Sequence, residues 1–143
     1  MKRVLLSSIA AALLAGCGAT PSGAPPQFEV EPSLILPSAS GRLSISLWTA
    51  PSPPVKGVNA LRVALADGAG APVAASDLSA VVWMPAHGHG TSVKSSFDDV
   101  GGGTYEAGHV VFFMDGRWEV RGELTEAAGG GLADSFVATL DVR

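Results

Sequence analysis

Arg117-Trp118-Glu119-Val120-Arg121-Gly122-Glu123-Leu124 is the stretch that decides the fold class. Its even-numbered positions are apolar or glycine, and its odd-numbered positions are charged. A period of two residues is that of a β-strand with one face in a core and the other in water. The stretch therefore predicts a half-buried strand.

Similar strand-like segments recur along the chain, separated by turns rich in glycine and proline, and no segment after the first seventeen residues has a helical period. Strands are predicted at 42–47, 59–66, 78–84, 93–98, 104–114, 117–124 and 136–142. About seven short strands of this kind predict an all-β fold, an immunoglobulin-like antiparallel β-sandwich. A small barrel is the alternative. The Cys…Trp…Cys pattern of true immunoglobulin domains is absent, so the prediction concerns architecture alone.

The N-terminus has the features of a targeting segment. Two cations precede the apolar stretch 4–14, which is too short to span a bilayer. The stretch ends in Leu14-Ala15-Gly16-Cys17, which resembles the bacterial lipobox. The resemblance implies a signal peptide at 1–16, lipidation of Cys17, and a membrane-anchored lipoprotein of the bacterial cell envelope that faces the periplasm or the exterior. An ordinary secretory signal with an incidental Cys17 is the alternative.

Residues 17–40 contain five prolines among small residues, a composition that favours extended backbone and cannot bury a core. We interpret this segment as a Pro/Ser/Gly-rich tether between the lipidated cysteine and a β-sandwich domain at 41–143. Within the tether, 28–31 and 34–36 are candidates for short edge pairings.

Composition excludes several classes of function. The net charge is -4 and no basic run follows the leader, so nucleic acid is not expected as a partner. Cys17 is the only cysteine, so the mature domain has no disulfide. No Gly-x-Ser-x-Gly elbow occurs around Ser92, Ser95 or Ser96, and Asp98-Asp99 is typical of a turn. We expect no enzymatic activity.

A metal site is the better-supported hypothesis. Met84, His87 and His89 place one thioether and two imidazoles within six residues. Thioether sulfur favours Cu(I) and imidazole accepts Cu(I), Cu(II) or Zn(II), so this set in an oxidising envelope points to copper before zinc. His109 and Met114 lie on a later strand that could end at the same rim of a sandwich. The alternative is that the methionines fill the core and the histidines are solvated.

Three motifs carry a resemblance to a known family. They are Met84-Pro85-Ala86-His87-Gly88-His89-Gly90, Gly103-Thr104-Tyr105 and Phe113-Met114-Asp115-Gly116-Arg117-Trp118-Glu119-Val120. Together they resemble the YtkA-like family of small bacterial envelope domains, over a region from about Gly57 to the C-terminus. The resemblance implies copper handling, with an envelope partner such as a respiratory oxidase or another copper-handling protein.

Met84, His89 and Met114 match the family pattern, and Trp118 matches its core tryptophan. His87 departs from it, because the family often has methionine there; the change shifts the donor set from sulfur toward nitrogen and makes Cu(II) more acceptable. The resulting hypothesis is a lipid-anchored, non-catalytic sandwich that binds or carries copper through Met84, His87 and His89, completed by Met114 or His109. The alternative is a structural or protein-interaction module of the envelope with no metal site.

Overall fold

The computed structural model describes residues 23–75, 77–125 and 132–143. The predicted signal peptide at 1–16 and the predicted lipidation site, Cys17, lie outside the described residues. Within the described part of the chain, no helix is long and apolar enough to cross a membrane.

The described residues form strands and one turn of 3-10 helix, at Pro85–His87. The strands are β1 (Leu34–Pro37), β2 (Leu43–Ala50), β3 (Gly57–Asp67), β4 (Asp77–Met84), β5 (His89–Gly90), β6 (Ser95–Ser96), β7 (Asp98–Gly101), β8 (Thr104–Phe112), β9 (Gly116–Thr125) and β10 (Leu132–Val142). The predicted strands at 59–66, 78–84, 117–124 and 136–142 fall within this set, the one predicted at 42–47 starts one residue before β2, and the one predicted at 104–114 ends at Phe112. The predicted strand at 93–98 is instead two short strands on either side of Phe97.

The strands form two antiparallel sheets packed as a sandwich, which confirms the predicted fold class. Sheet A has the order β1-β2-β3-β8-β7, and sheet B has the order β10-β9-β4-β5, with β6 also paired to β4. If β1 and β6 are set aside, this is the ABED and GFCC′ arrangement of immunoglobulin-like domains. The chain crosses from sheet B to sheet A at Phe97, whose N–H donates to the carbonyl oxygen of Leu78 in β4.

The core lies between the sheets and is made by the inward positions of the alternating strands. Its largest fully buried side chains are Trp118, Tyr105, Phe112 and Phe136. The rings of Phe112 and Trp118 meet edge to face, with centroids 5.5 Å apart, which joins the end of β8 to the start of β9. Burying a side chain of this size stabilises the fold by about 1.5–3 kcal/mol relative to exposure.

A β-bulge in β8 changes which residues face the core. Asn59 pairs with Val110, but Leu61 pairs with Ala107, so β8 has one extra residue in this interval. Ala107 and Val110 are both buried, whereas Gly108 and His109 between them are exposed. The bulge therefore puts His109 on the surface of the sandwich.

The edges of the two sheets are joined by a buried carboxylate. Asp134 in β10 accepts hydrogen bonds from the Ser40 N–H at 3.1 Å and the Ser40 hydroxyl at 2.5 Å. Burial opposes ionisation of Asp134, but bonds from the Ser40 and Ser38 hydroxyls and from the N–H groups of Ser40 and Ser135 outweigh it and lower its pKa to about 2. The carboxylate stays ionised and holds the segment after β1 against β10.

Part of the segment interpreted as a tether belongs to the folded body. The candidate pairing at 34–36 lies within β1, which pairs with β2. The candidate pairing at 28–31 forms no strand. Instead, the ring of Phe28 lies 4.2 Å from the guanidinium carbon of Arg62 on sheet A, a cation–π contact.

Candidate functional site

The site predicted from the sequence is a tight turn between two paired strands. β4 ends at Met84, Pro85 begins the 3-10 turn with its φ already fixed, and β5 returns alongside. Gly88 has a left-handed φ of 64°, and its N–H bonds the carbonyl oxygens of Met84 and Pro85. Met84 then pairs with His89. The turn geometry therefore follows from the Pro and Gly that flank His87.

His87 and His89 lie side by side at the surface. Both side chains are exposed, and their ring centroids are 5.6 Å apart with the planes at 49°. In an imidazole bound to a metal, the metal–nitrogen distance is about 2.05 Å and the ring centroid lies roughly 1.15 Å beyond the nitrogen. Two imidazoles on one ion therefore have centroids about 4.5 Å apart when the nitrogen–metal–nitrogen angle is a right angle, and about 6.4 Å apart when it is linear. The observed separation falls within this range.

Met84 is the last residue of the strand that leads into the histidine turn. Residues directly opposite each other in an antiparallel pair share one face of the sheet, with Cβ atoms about 4.5–5.5 Å apart. Because Met84 is directly opposite His89, its side chain starts on the same face as that imidazole. Unlike the histidines, Met84 is only 4% exposed and belongs to the hydrophobic core. Core filling, the alternative role for the methionines, therefore applies to Met84.

Met114 lies at the same rim, in the connection between β8 and β9. It is half-buried against the core, and its carbonyl oxygen accepts a hydrogen bond from the Trp118 indole N–H at 2.9 Å. Two residues later, Gly116 contacts Met84: a Cβ at Gly116 would be 2.6 Å from the terminal methyl of Met84. The turn after Met84 and the connection that carries Met114 therefore lie at one rim of the sandwich.

His109 faces a different environment. It lines a groove of about 420 Å³ that runs between β8 and the segment after the histidine turn. The groove is lined by Val82, Gly90, Thr91, Ser92, Val93, Ser95, His109, Val111 and Phe113. Gly90 connects it to the histidine turn. In the described residues, no group of three or more His, Cys, Asp or Glu side chains is placed to hold a metal, so His109 does not form a three-imidazole cluster with His87 and His89.

The serine and aspartate residues considered for catalysis lie in short strands or line the groove. Ser95 belongs to the short pairing of β6 with β4. Asp98 and Asp99 were predicted in a turn but lie in β7, paired with β8; Asp99 accepts a hydrogen bond from the Gly101 N–H at 2.7 Å, where the register of this pair shifts. Ser92 and Ser95 line the groove beside His109.

Gly116 is the residue at this site that the sequence reasoning missed. Asp115-Gly116 indicated a turn, and the positive φ of 126° at Gly116 agrees with that. The sequence carried no signal that the missing side chain also makes room for a methionine thirty-two positions earlier. Such a contact between distant strands becomes visible only once the sheets are paired.

Comparison with known proteins agrees with this architecture. The family model described as YtkA-like matches residues 38–123, which is more than half of the chain.

The chain belongs to the YtkA-like family.

The matched region of this YtkA-like protein begins before the expected boundary near Gly57 and ends within β9, so it includes the histidine turn, Met114 and the Trp118 strand. β10 lies after it. No curated protein and no solved structure matches the chain.

Proposed function

We propose that this YtkA-like protein binds copper at the rim of its sandwich, through His87 and His89 with the thioether of Met84, and that it carries or buffers the ion without catalysing a reaction. The observation that carries the proposal is the pair of exposed imidazoles 5.6 Å apart. Two nitrogen donors and a nearby sulfur suit copper better than the hard ions calcium and magnesium, which prefer oxygen ligands.

The exposure of the two histidines supports a carrier. A structural metal site is closed by protein ligands, whereas an ion that is handed on needs an open position for the incoming ligand. His87 and His89 are both exposed on a turn at the sandwich rim. We further propose that the chain works as a membrane-anchored lipoprotein of the bacterial envelope, held through Cys17. Its partner would then be an envelope protein such as a respiratory oxidase or a copper-handling protein.

Copper titration of the full chain in detergent tests this function. Affinities for Cu(I) and Cu(II) would be measured by competition with chromophoric chelators, for wild type and for the double variant His87→Ala/His89→Ala. The double variant should lose at least about tenfold in affinity. His109→Ala is the matched control, since it removes the other histidine of the chain, outside the turn, and should leave both affinities unchanged. Equal binding by wild type and the double variant would contradict the proposal.

The groove beside His109 favours a second function, that of a protein-interaction module of the envelope. Its wall exposes Val93 at 73% and Phe113 at 55%, two apolar side chains that a partner would cover. This function predicts a partner captured from envelope membranes whose binding needs no metal. Phe113→Ser should then abolish capture, while His87→Ala/His89→Ala should not. The opposite pattern supports copper transfer at the turn.

A further inference from the structure

We infer that a partner protein docks as an extended strand along the unpaired edge of β8, through a segment with apolar residues at alternate positions and basic residues at its two ends. The inference rests on the second proposed function, that of a protein-interaction module, and does not depend on copper. It names the kind of segment that the groove beside His109 would take.

Only one side of β8 is paired along the length of the strand. β3 lies beside it from Thr104 to Phe112, whereas β7 covers only Thr104 to Glu106 on the other side. In the part of the chain that the structure describes, no strand pairs with the remaining edge, at 107–112. At a strand rise of about 3.4 Å per residue, this free edge is roughly 17 Å long, the length of an ordinary strand.

The free edge lacks the side chains that usually protect such an edge from pairing. Charged residues, especially lysine, and proline are common means of protection. The sequence from Ala107 to Phe113 contains no Asp, Glu, Lys, Arg or Pro. A β-bulge is another means, but here it ends before Val110. By contrast β10, at the edge of sheet B, contains Asp134 and Asp141. The free edge of β8 is therefore open to an added strand.

The groove offers an apolar surface to one face of an added strand. His109, Val111 and Phe113 line it at two-residue intervals, so they share one face of β8. Residues directly opposite each other on neighbouring strands also share a face. Alternate side chains of an added strand would therefore lie against Val111 and Phe113, with the exposed Val93 on the facing wall. This arrangement favours apolar residues at every second position of the partner segment.

Charges at the two ends of the free edge favour basic residues in the partner. Asp98 and Asp99 lie in β7, beside the start of the free edge, and Asp115 follows its end. All three are exposed, and none forms an ion pair with another described residue. Lys94, on the segment that borders the groove, is already paired with Glu123. A segment with Lys or Arg at both ends would complement these carboxylates.

The same charges disfavour a second copy of this chain as the occupant. Two copies related by a twofold axis would pair their β8 edges antiparallel, so Asp99 of one copy would approach Asp115 of the other. Like charges placed in this way destabilise the pairing. Arg62 would not relieve the repulsion, because it is already paired with Glu106.

Binding of a synthetic peptide to the full chain in detergent tests the inference. The peptide alternates valine and threonine over about six residues, to match the free edge, and has a pair of lysines at each end. It should bind, and hydrogen exchange should slow at 107–112 because the amides of the free edge gain partners. Proline at the threonine positions, which cannot donate to the ladder, should abolish both effects. Glutamates in place of the lysines should weaken binding at least about fivefold, and by less at high salt.

Variants of the chain separate the groove from the rest of the surface. Phe113→Ser should weaken binding of the lysine-flanked peptide at least about fivefold. Asp98→Asn/Asp115→Asn should remove the preference for lysine over glutamate at the ends of the peptide. Val137→Ser is the matched control and should leave binding unchanged, because Val137 is 52% exposed against 55% for Phe113 but lies on β10.

Three outcomes would overturn the inference. They are the absence of binding or of slower exchange at 107–112, equal binding of the proline-containing or the glutamate-flanked peptide, and slow exchange at 107–112 that depends on protein concentration without peptide. The last result would assign the edge to a second copy of the chain. The proposed interaction function fails separately, when capture of a membrane partner is insensitive to Phe113→Ser, whatever the peptide does.

Discussion

Adding one methyl group at Gly122 should destabilise the sandwich by about 3 kcal/mol, because the space that a side chain would need is filled by Phe136. Gly122 in β9 pairs directly with Phe136 in β10. A Cβ built on Gly122 would lie 2.2, 2.3 and 2.8 Å from three carbons of the Phe136 ring. Ordinary carbon contacts are about 3.5–4.0 Å, so the ring would have to move by more than about 1 Å.

The ring has little room for that movement, because Phe136 is 2% exposed and belongs to the core. Overpacking of a core costs about 1–3 kcal/mol, and loss of the whole buried ring costs about 3–5 kcal/mol. Gly122→Ala lies where these two ranges meet. Urea denaturation, followed by tryptophan fluorescence, measures the free energy of unfolding.

Gly108→Ala is the matched control. Gly108 is also a strand glycine, but nothing lies within 4 Å of its added Cβ, so this variant reports only the change in backbone entropy. A double-mutant cycle with Phe136→Leu separates the clash from that entropy, since a shorter side chain at position 136 should reduce the cost of Gly122→Ala. The reasoning is refuted if Gly122→Ala and Gly108→Ala unfold with equal free energies, or if the substitutions at positions 122 and 136 are additive.

Two further predictions concern polar groups that hold the edges of the fold. The pKa of Asp134 is lowered in the folded state to about 2, so its contribution to stability is present above its ordinary pKa of 3.8 and is lost as the pH falls from there toward 2. Urea midpoints measured across this interval should drop in wild type and drop less in Asp134→Asn. Parallel pH profiles of the two proteins would contradict this. Tyr105→Phe should lower the free energy of unfolding in urea by about 1–3 kcal/mol. The Tyr105 hydroxyl accepts a hydrogen bond from the Ala75 N–H at 2.6 Å and donates one to the Ala75 carbonyl oxygen at 3.0 Å, so both groups would lose a partner. A cost below that of an exposed control, Thr139→Val, would show that water replaces the hydroxyl.

The regular strands could be predicted from the sequence because alternation reports directly that one face is buried. The segment 117–124 has its apolar positions on the core side, and β9 shows the same burial pattern. The order of strands could be named only as immunoglobulin-like, since alternation does not say which strands pair. The motif Gly103-Thr104-Tyr105 resembles the family pattern, but its physical role became visible only in the structure: the Tyr105 hydroxyl accepts a hydrogen bond from the Ala75 N–H and donates one to the Ala75 carbonyl oxygen.

The bulge in β8 could not be predicted from the alternation of apolar and polar residues. The segment 104–114 was predicted as one strand, but a shift of register between Ala107 and Val110 divides it into two phases. The odd positions Tyr105 and Ala107 are buried before the shift, and the even positions Val110 and Phe112 after it. In the sequence, the change appears as two residues, Gly108 and His109, between the apolar residues Ala107 and Val110, where strict alternation would have only one. A continuous strand would have turned His109 inward, so the assignment of that histidine to the surface depends on the bulge.

Under the proposed function, the histidine turn would have to meet two requirements that usually conflict in a metal carrier. Exchange needs donors that a partner can approach, and retention needs donors that are already in place before the ion arrives. His87 and His89 meet the first requirement because they are exposed on a short turn. Met84 meets the second, because β4 pairs with β9 on one side and with β5 and β6 on the other, and Gly116 borders its methyl. Under the proposed function, the imidazoles open to water would therefore serve exchange of the ion, and the thioether held by the core would serve its retention.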